Sequence, residues 1–220
     1  ASLGKTVECA MAVSKINMKR IFWLGSLCLL AMCDLVAAGR NQWTTNGPSS
    51  VVNVVRGHPN LSEILYAGAV DGFFRSLDGG VSWQYIGDGL RGRNVLCLAV
   101  DPVNGDRLYA GLNLGLFVSG DGGVTWNQLE GPGSGVLSVS VGPAGSDLVY
   151  AGTFGRGVFV SEDGGATWRA GGATLGESIV FTLESAPSDV SRVYAGTASG
   201  LFVSDDAGRT WSARGVELQG

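Results

Sequence analysis

From residue 51 onward the apolar residues come in short runs, each closed by Gly, Pro, Asn, Asp or Ser. Val95-Leu96-Cys97-Leu98-Ala99-Val100 is near-continuously apolar, the pattern of a strand buried on both faces. Asp101-Pro102-Val103-Asn104-Gly105 reads as a turn, Arg107 to Gly111 as a second strand and Leu116 to Ser119 as a third. A Gly-rich turn then leads to a fourth strand, Thr125 to Leu129. No stretch after residue 38 sustains a 3.6-residue apolar period for ten residues, so no helix is expected there.

This group of four strands recurs. Leu65-Tyr66-Ala67-Gly68, Leu108-Tyr109-Ala110-Gly111, Val149-Tyr150-Ala151-Gly152 and Val193-Tyr194-Ala195-Gly196 each lead into an octapeptide that ends in Trp. The octapeptides are SLDGGVSW (76–83), SGDGGVTW (119–126), SEDGGATW (161–168) and SDDAGRTW (204–211). Their aspartates, Asp78, Asp121, Asp163 and Asp206, are 43, 42 and 43 residues apart. Four strands in such a period match a propeller blade. The expected fold is therefore all-β: a β-propeller of four-stranded antiparallel blades over 39–220. Four blades are visible, at about 51–86, 94–129, 136–170 and 178–214.

The octapeptide has a physical logic. Its Asp accepts hydrogen bonds from backbone N–H groups of its own turn. The glycines permit positive φ, and the Ser and Thr hydroxyls pin the flanking backbone. Trp83, Trp126, Trp168 and Trp211 open the outer strands with rings large enough to plug the gap between blades. These residues are expected to be scaffold.

Ser-x-Asp-x-Gly-x-x-Trp resembles the Asp-box, or BNR repeat, of sialidases, sortilin-type receptors, xyloglucanase-type glycoside hydrolases and photosystem II assembly propellers. The longer phrase Tyr-Ala-Gly-Thr…Gly-Leu-Phe-Val-Ser-x-Asp is most similar to the sortilin and xyloglucanase group. The resemblance spans 43–220 and implies the fold; the box occurs in enzymes and non-enzymes alike. A sialidase would need an arginine cluster, a Tyr–Glu pair and an acid, and the opening arginine motif is not recognisable. Tyr66, Tyr109, Tyr150 and Tyr194 are repeat-equivalent and read as blade packing. A xyloglucanase-type enzyme needs two carboxylates across a cleft. Asp71, Asp88 and Glu177 are available, and no motif singles them out.

The N-terminal stretch has another pattern. Lys15, Lys19 and Arg20 precede an apolar run from Ile21 to Cys33, and Val36-Ala37-Ala38 supplies small residues for cleavage before Gly39. Residues 11–38 thus read as an export signal. Residues 1–10 lie upstream of Met11 and read as upstream read-through. A lipoprotein anchored at Cys33 is the rival, opposed by the bulk of Met32. The expected location is secreted or periplasmic, with no transmembrane anchor in the mature chain.

Composition adds little. Gly 36 against Pro 6, with 45% apolar and 15% charged residues, suits a globular chain rich in tight turns. The net charge is −4; without residues 1–38 it becomes −6, from 11 Arg against 17 acidic residues. That balance argues against nucleic acid as a partner. Cys97 is then the single Cys, in an apolar run, and reads as an inert thiol. His58, in Gly57-His58-Pro59-Asn60, aligns with Asp101, Gly142 and Ala186 and reads as a turn residue. Each Asp-Gly loop lacks the run of oxygen ligands of an EF-hand, so no metal is expected, and no cofactor either.

Trp43 lies 40 residues before Trp83 and imitates an outer strand (42–45) without its own blade. That leftover strand leads to the expectation of an incomplete ring, cut from a larger propeller. The rival is a genuine four-blade ring, the small end of the usual range.

Ligands of propellers usually meet the face formed by the loops from strand four to strand one and from strand two to strand three. Those loops are 86–94, 130–135, 170–178, 69–72, 112–115, 153–157 and 197–200. They carry Asp71, Asp88, Arg91, Arg93, Asn113, Phe154, Arg156 and Glu177. Phe154 beside Arg156 is the most site-like pair: an aromatic ring stacks on a sugar or fills a partner pocket, and Arg binds a carboxylate bidentately. The expected function is a non-catalytic, exported scaffold that binds protein or glycan; the alternative is a fragment of a secreted glycoside hydrolase.

Overall fold

The computed structural model describes residues 47–48 and 50–215. The readings made on 1–10, on 11–38 with Cys33, and on 42–45 with Trp43 lie outside the described residues.

Among the described residues sixteen strands form four antiparallel sheets, each wound in simple sequence order. Blade one holds β1 (Val52–Gly57), β2 (Leu65–Ala69), β3 (Gly72–Ser76) and β4 (Gln84–Ile86). Blade two holds β5 (Val95–Val100), β6 (Leu108–Leu112), β7 (Gly115–Ser119) and β8 (Asn127–Leu129). Blade three holds β9 (Val136–Val141), β10 (Val149–Thr153), β11 (Val158–Ser161) and β12 (Arg169–Ala170). Blade four holds β13 (Val180–Ser185), β14 (Val193–Thr197), β15 (Gly200–Ser204) and β16 (Ser212–Arg214). A single 3-10 turn, Ala173–Leu175, interrupts the loop between blades three and four. The innermost strands pack in order, β1 on β5, β5 on β9 and β9 on β13.

The Tyr-Ala-Gly phrase explains this close approach. A Cβ at Gly68 would lie 2.5 Å from Val95 of the next blade, and one at Gly111 or Gly152 would lie 2.7 Å from Val136 or Val180. Only glycine there lets the next inner strand sit against the second strand. The flanking Ala and Tyr then bury between blades: Tyr66, Tyr109 and Tyr150 are each 1% exposed.

Apolar burial is organised by seams. One core joins Tyr66 and Phe73 of blade one to Leu98, Leu108, Phe117 and Trp126 of blade two. A second joins Tyr109 and Leu116 to Val136, Val139 and Trp168. A third joins Tyr150 and Val158 to Leu183, Val193 and Trp211. The Trp rings do plug these gaps. The ring of Trp126 meets Phe73 edge-on at 5.0 Å, and Trp211 Nε1–H donates to Gly171 O at 2.6 Å.

The run 95–100 differs from the expectation of a strand buried on both faces. Val95, Leu98 and Ala99 are buried, while Leu96, Cys97 and Val100 are half-buried. The innermost strand of a blade meets a neighbour blade on each face but leaves its free edge to the central channel, so an apolar run there does not imply full burial. Cys97 points its sulfur at Val136 O, 4.0 Å away in the seam, and burial pushes its thiol up to about 12. At that value the thiolate is absent near neutral pH.

The outermost blades lack one neighbour each. Leu201 is 46% exposed, where its equivalents Phe73, Leu116 and Val158 are at most 2% exposed. Tyr194 is 37% exposed, against 1% for the other three tyrosines. On blade one, Val52 is 37% and Val55 48% exposed; their equivalents in the later blades are at most 6% exposed. The described residues therefore form an open arc, with the forward side of blade four and the backward side of blade one uncovered.

Candidate functional site

Two faces of the arc are defined by backbone bonds. On one, each box is tied to the turn between its blade's first two strands: Gly79 N–H to Glu63 O, Gly122 to Asp106, Gly164 to Asp147 and Ala207 to Ser191, at 2.7–2.9 Å. On the other, the loops are tied to one another. Gly92 N–H donates to Asp71 O and Gly135 N–H to Asn113 O. Phe154 N–H donates to Gly135 O, Gly157 N–H to Ser178 O and Ala198 N–H to Ile179 O.

The four boxes share one hydrogen-bond circuit. In each, the Ser hydroxyl donates to Asp Oδ1 at 2.7–2.8 Å and accepts the N–H of the Gly four residues on at 2.7–2.9 Å. Asp Oδ1 also accepts the N–H of the Ser or Thr before Trp, at 2.8–2.9 Å, while Oδ2 accepts that residue's hydroxyl. These bonds need the ionised carboxylate, which only accepts. The Ser82 hydroxyl holds Asp78 down to about 2, and the Thr167 hydroxyl does the same for Asp163. Asp206 is held well below the ordinary range by Thr210. At Asp121 burial pushes upward, but the bonds from Thr125 and Ser119 outweigh it and the net shift is downward. A general acid needs the opposite shift, so the box aspartates are not proton donors near neutral pH.

The boxes also join blades, a role that sequence reasoning missed. The carbonyl of the residue after Asp121, Asp163 and Asp206 accepts from the preceding blade. Arg75 donates to Gly122 O at 3.1 Å. Arg107 and Tyr109 donate to Gly164 O at 2.8 and 2.9 Å. Arg169 donates to Ala207 O at 2.9 Å. Ala207 holds this place at φ 55, where the other boxes have Gly. The available signal was an Arg or Tyr one repeat upstream of each of these boxes.

The residues proposed from sequence sit on the loop face in separate groups. Asp71 accepts from the Ser50 hydroxyl with its carboxylate and from Tyr85 Oη with its carbonyl, and Arg91 lies over the Tyr85 ring at 5.5 Å. Asp88 uses its backbone, donating to Val124 O and accepting from Trp126 N–H, and its side chain is exposed. Arg93 lies over Phe117 at 5.7 Å. Asn113, Phe154 and Arg156 converge on the loop 130–135: Arg156 donates to Pro132 O at 3.0 Å and covers Phe159 at 5.1 Å, leaving Phe154 64% exposed. Glu177 is exposed on the next loop. No hydrogen bond joins Asp71, Asp88 and Glu177 to one another. His58 does build its turn: Nδ1 accepts Asn60 and Leu61 N–H, as Asp101 Oδ1 accepts Val103 and Asn104 N–H in blade two.

The central channel contributes residues not named from sequence. Towards the loop face, a cavity of about 370 Å³ is lined by Asn53, Cys97, Ser138, Phe181 and Thr182. Towards the box face, one of about 270 Å³ is lined by Arg56, Ser140, Glu184 and Ser185. Arg56, Ala99, Ser140 and Glu184 occupy equivalent inner-strand positions. Charge at one inner-strand position, against small residues in the middle blades, was a readable signal. Among the described residues no three His, Cys, Asp or Glu side chains gather as a metal site would, and no helix is long and apolar enough to cross a membrane.

The BNR/Asp-box repeat family matches residues 202–213. No curated protein matches the sequence. Among solved structures, an ancestral GH74 enzyme is 22% identical with a TM-score of 0.68, covering 79% of this chain and 25% of its own. The GH74 xyloglucanase from Xanthomonas campestris is 23% identical with a TM-score of 0.60, covering 78% of this chain and 32% of its own. The extracellular domain of a hybrid two-component system from B. thetaiotaomicron is 18% identical with a TM-score of 0.60, over 81% of this chain and 24% of its own. The chain thus spans about a quarter to a third of the length of these structures. Together with the boxes, these likenesses establish the class: an Asp-box β-propeller, near the xyloglucanase type in fold.

Proposed function

We propose that the chain is an exported binding propeller whose loop face takes protein or glycan, with the boxes serving only as scaffold. The observation that carries this reading is Phe154. It is a large aromatic ring presented to solvent, on a backbone held by Gly135 O and by the Thr153 hydroxyl, which accepts Arg156 N–H at 3.2 Å. A fixed, exposed aromatic beside a guanidinium is the residue pairing most often found as an anchor for a bound partner. The order basic, apolar, small over 15–38 supports export. The extracellular domain of the two-component system among the similar structures is compatible with it.

A second reading, part of a secreted glycoside hydrolase, is favoured by the GH74 likeness and by Asp71, Asp88 and Glu177 on the loop face. A glycan array and a xyloglucan hydrolysis assay on the full chain separate the two. Binding without turnover is expected. Phe154→Ala with Arg156→Ala is expected to weaken that binding about tenfold or more, with the melting temperature nearly kept, because both side chains are exposed. Unchanged affinity removes the pair from the site, and turnover of xyloglucan replaces the first reading by the second.

A further inference from the structure

Arg169, Arg192, Arg209 and Arg214 each meet a carboxylate at 2.8–4.0 Å. The three arginines of the loop face, Arg91, Arg93 and Arg156, make no ion pair with a described residue. Each lies instead over an aromatic ring: Arg91 over Tyr85 at 5.5 Å, Arg93 over Phe117 at 5.7 Å and Arg156 over Phe159 at 5.1 Å. A ring holds a guanidinium through its π face and leaves N–H groups at the edge for an anion. Glycines make room for this. A Cβ at Gly133 would collide with Arg156 Nη1, and one at Gly72 with the Tyr85 ring that carries Arg91. All three arginines remain exposed. Phe117 and Phe159 are equivalent third-strand residues, and Tyr85 packs edge-on against Phe74, their counterpart in blade one. The guanidinium groups therefore recur blade by blade over the first three blades, although they come from two different loops.

The face is not basic overall, because Asp88, Glu130 and Glu177 are exposed on the same loops. A densely charged polyanion would set its charges against these carboxylates, so long-range attraction does not select the ligand. Contact chemistry does. Arg takes a carboxylate through two parallel N–H bonds, and an ionised Asp or Glu accepts from hydroxyl groups. A uronic acid offers both partners on one sugar ring. Its apolar C–H face also suits Phe154, the exposed ring beside Arg156. An acidic peptide has the carboxylates without the hydroxyls, and a neutral glycan has the hydroxyls and nothing for the arginines.

We propose that the ligand of the loop face is a glycan of uronic acids, with its carboxylates on Arg156, Arg93 and Arg91 and its hydroxyls on Asp88 and Glu177. The proposal rests on the reading of that face as the binding face and narrows the partner to one class. Phe154 stacks on the sugar whose carboxylate meets Arg156. Fixed cations repeated at the blade period suit a polymer with carboxylates at intervals better than a single small anion. Lys at these positions would keep the charge but lose the planar fork and the stacking on the ring.

The test is titration calorimetry of the full chain with polygalacturonate and alginate, each also as its neutral ester, and with xyloglucan and poly-glutamate. The two uronates are expected to bind, and their esters to bind about tenfold or more weakly, since the charge-assisted bonds are lost. Arg93→Gln and Arg156→Gln are each expected to weaken uronate binding about tenfold. Arg156→Lys is expected to lose most of the same affinity despite its charge. The melting temperature should hold in all three variants, because the replaced residues are exposed. Esters or xyloglucan that bind as tightly as the uronates overturn the carboxylate assignment and leave the loop face a glycan face. Poly-glutamate that binds as tightly overturns the choice of a glycan. Uronate binding indifferent to the three substitutions overturns the role of the arginines. No binding to either uronate overturns the inference as a whole; the glycan array then decides the broader reading on its own.

Discussion

Acidification from pH 4 towards pH 2 is expected to lower the melting temperature of the chain steeply, with little change between pH 7 and pH 5. The cause is the four box aspartates. Each is held below its ordinary value of 3.8, Asp78 and Asp163 at about 2, by hydrogen bonds that only the carboxylate can accept. A depressed folded value stabilises the native state above the unfolded value, and that contribution is lost as pH falls through the folded value. The four circuits are near copies of one another, so their losses coincide in pH and add. Neutral donors cause the shifts, so added salt should leave the transition in place, unlike one driven by surface ion pairs. Asp121→Asn removes one titrating circuit and is expected to make the fall shallower. A melting temperature that stays level from pH 4 to pH 2 would show that the circuits do not stabilise the hairpins.

Trp126→Ala is expected to cost about 3–5 kcal/mol, the range for a large buried aromatic. The ring fills the seam between blades one and two, against Phe73, and its Nε1–H bonds Gly123 O at 3.0 Å. Trp211→Ala should cost a similar amount, since that ring seals blade four against blade three. Trp83→Ala should cost less, about 1–2 kcal/mol. Trp83 is half-buried against Phe74, Ala67 and Ala69, on the side of blade one that no described blade covers. Denaturant unfolding of the three variants gives the comparison. Equal losses at all three positions would mean that blade one is covered as the others are.

The hairpins, the box and the four-blade period could be read from residues alone, because each box carries its whole circuit within eight residues. The Ser76–Asp78–Ser82 set and its three copies are local chemistry, and local chemistry survives translation into structure. The inner strand 95–100 was harder. Its apolar run looks like a strand covered twice, and only the ring geometry shows that Cys97 and Leu96 border a channel. The open sides were not legible at all in the strand pattern. Val52 and Tyr194 repeat the residue types of the covered blades, with no polar substitution of the kind that marks a capping repeat. Among the candidate site residues, the loop face was located by connectivity. What the sequence could not show is which loops are tied together. Asn113, Phe154 and Arg156 are linked through the backbone of 130–135, whereas Asp71 and Arg91 meet through Tyr85.

The open arc is tested most directly by a crystal structure of the purified chain. The expected result has β13 and β1 of one copy unpacked against each other, with Tyr194 and Val55 of that copy on separate sides of the arc. A four-blade ring closed within one copy, with β13 packed on β1 and the Tyr194 hydroxyl on that copy's own Gly79 carbonyl, would contradict it.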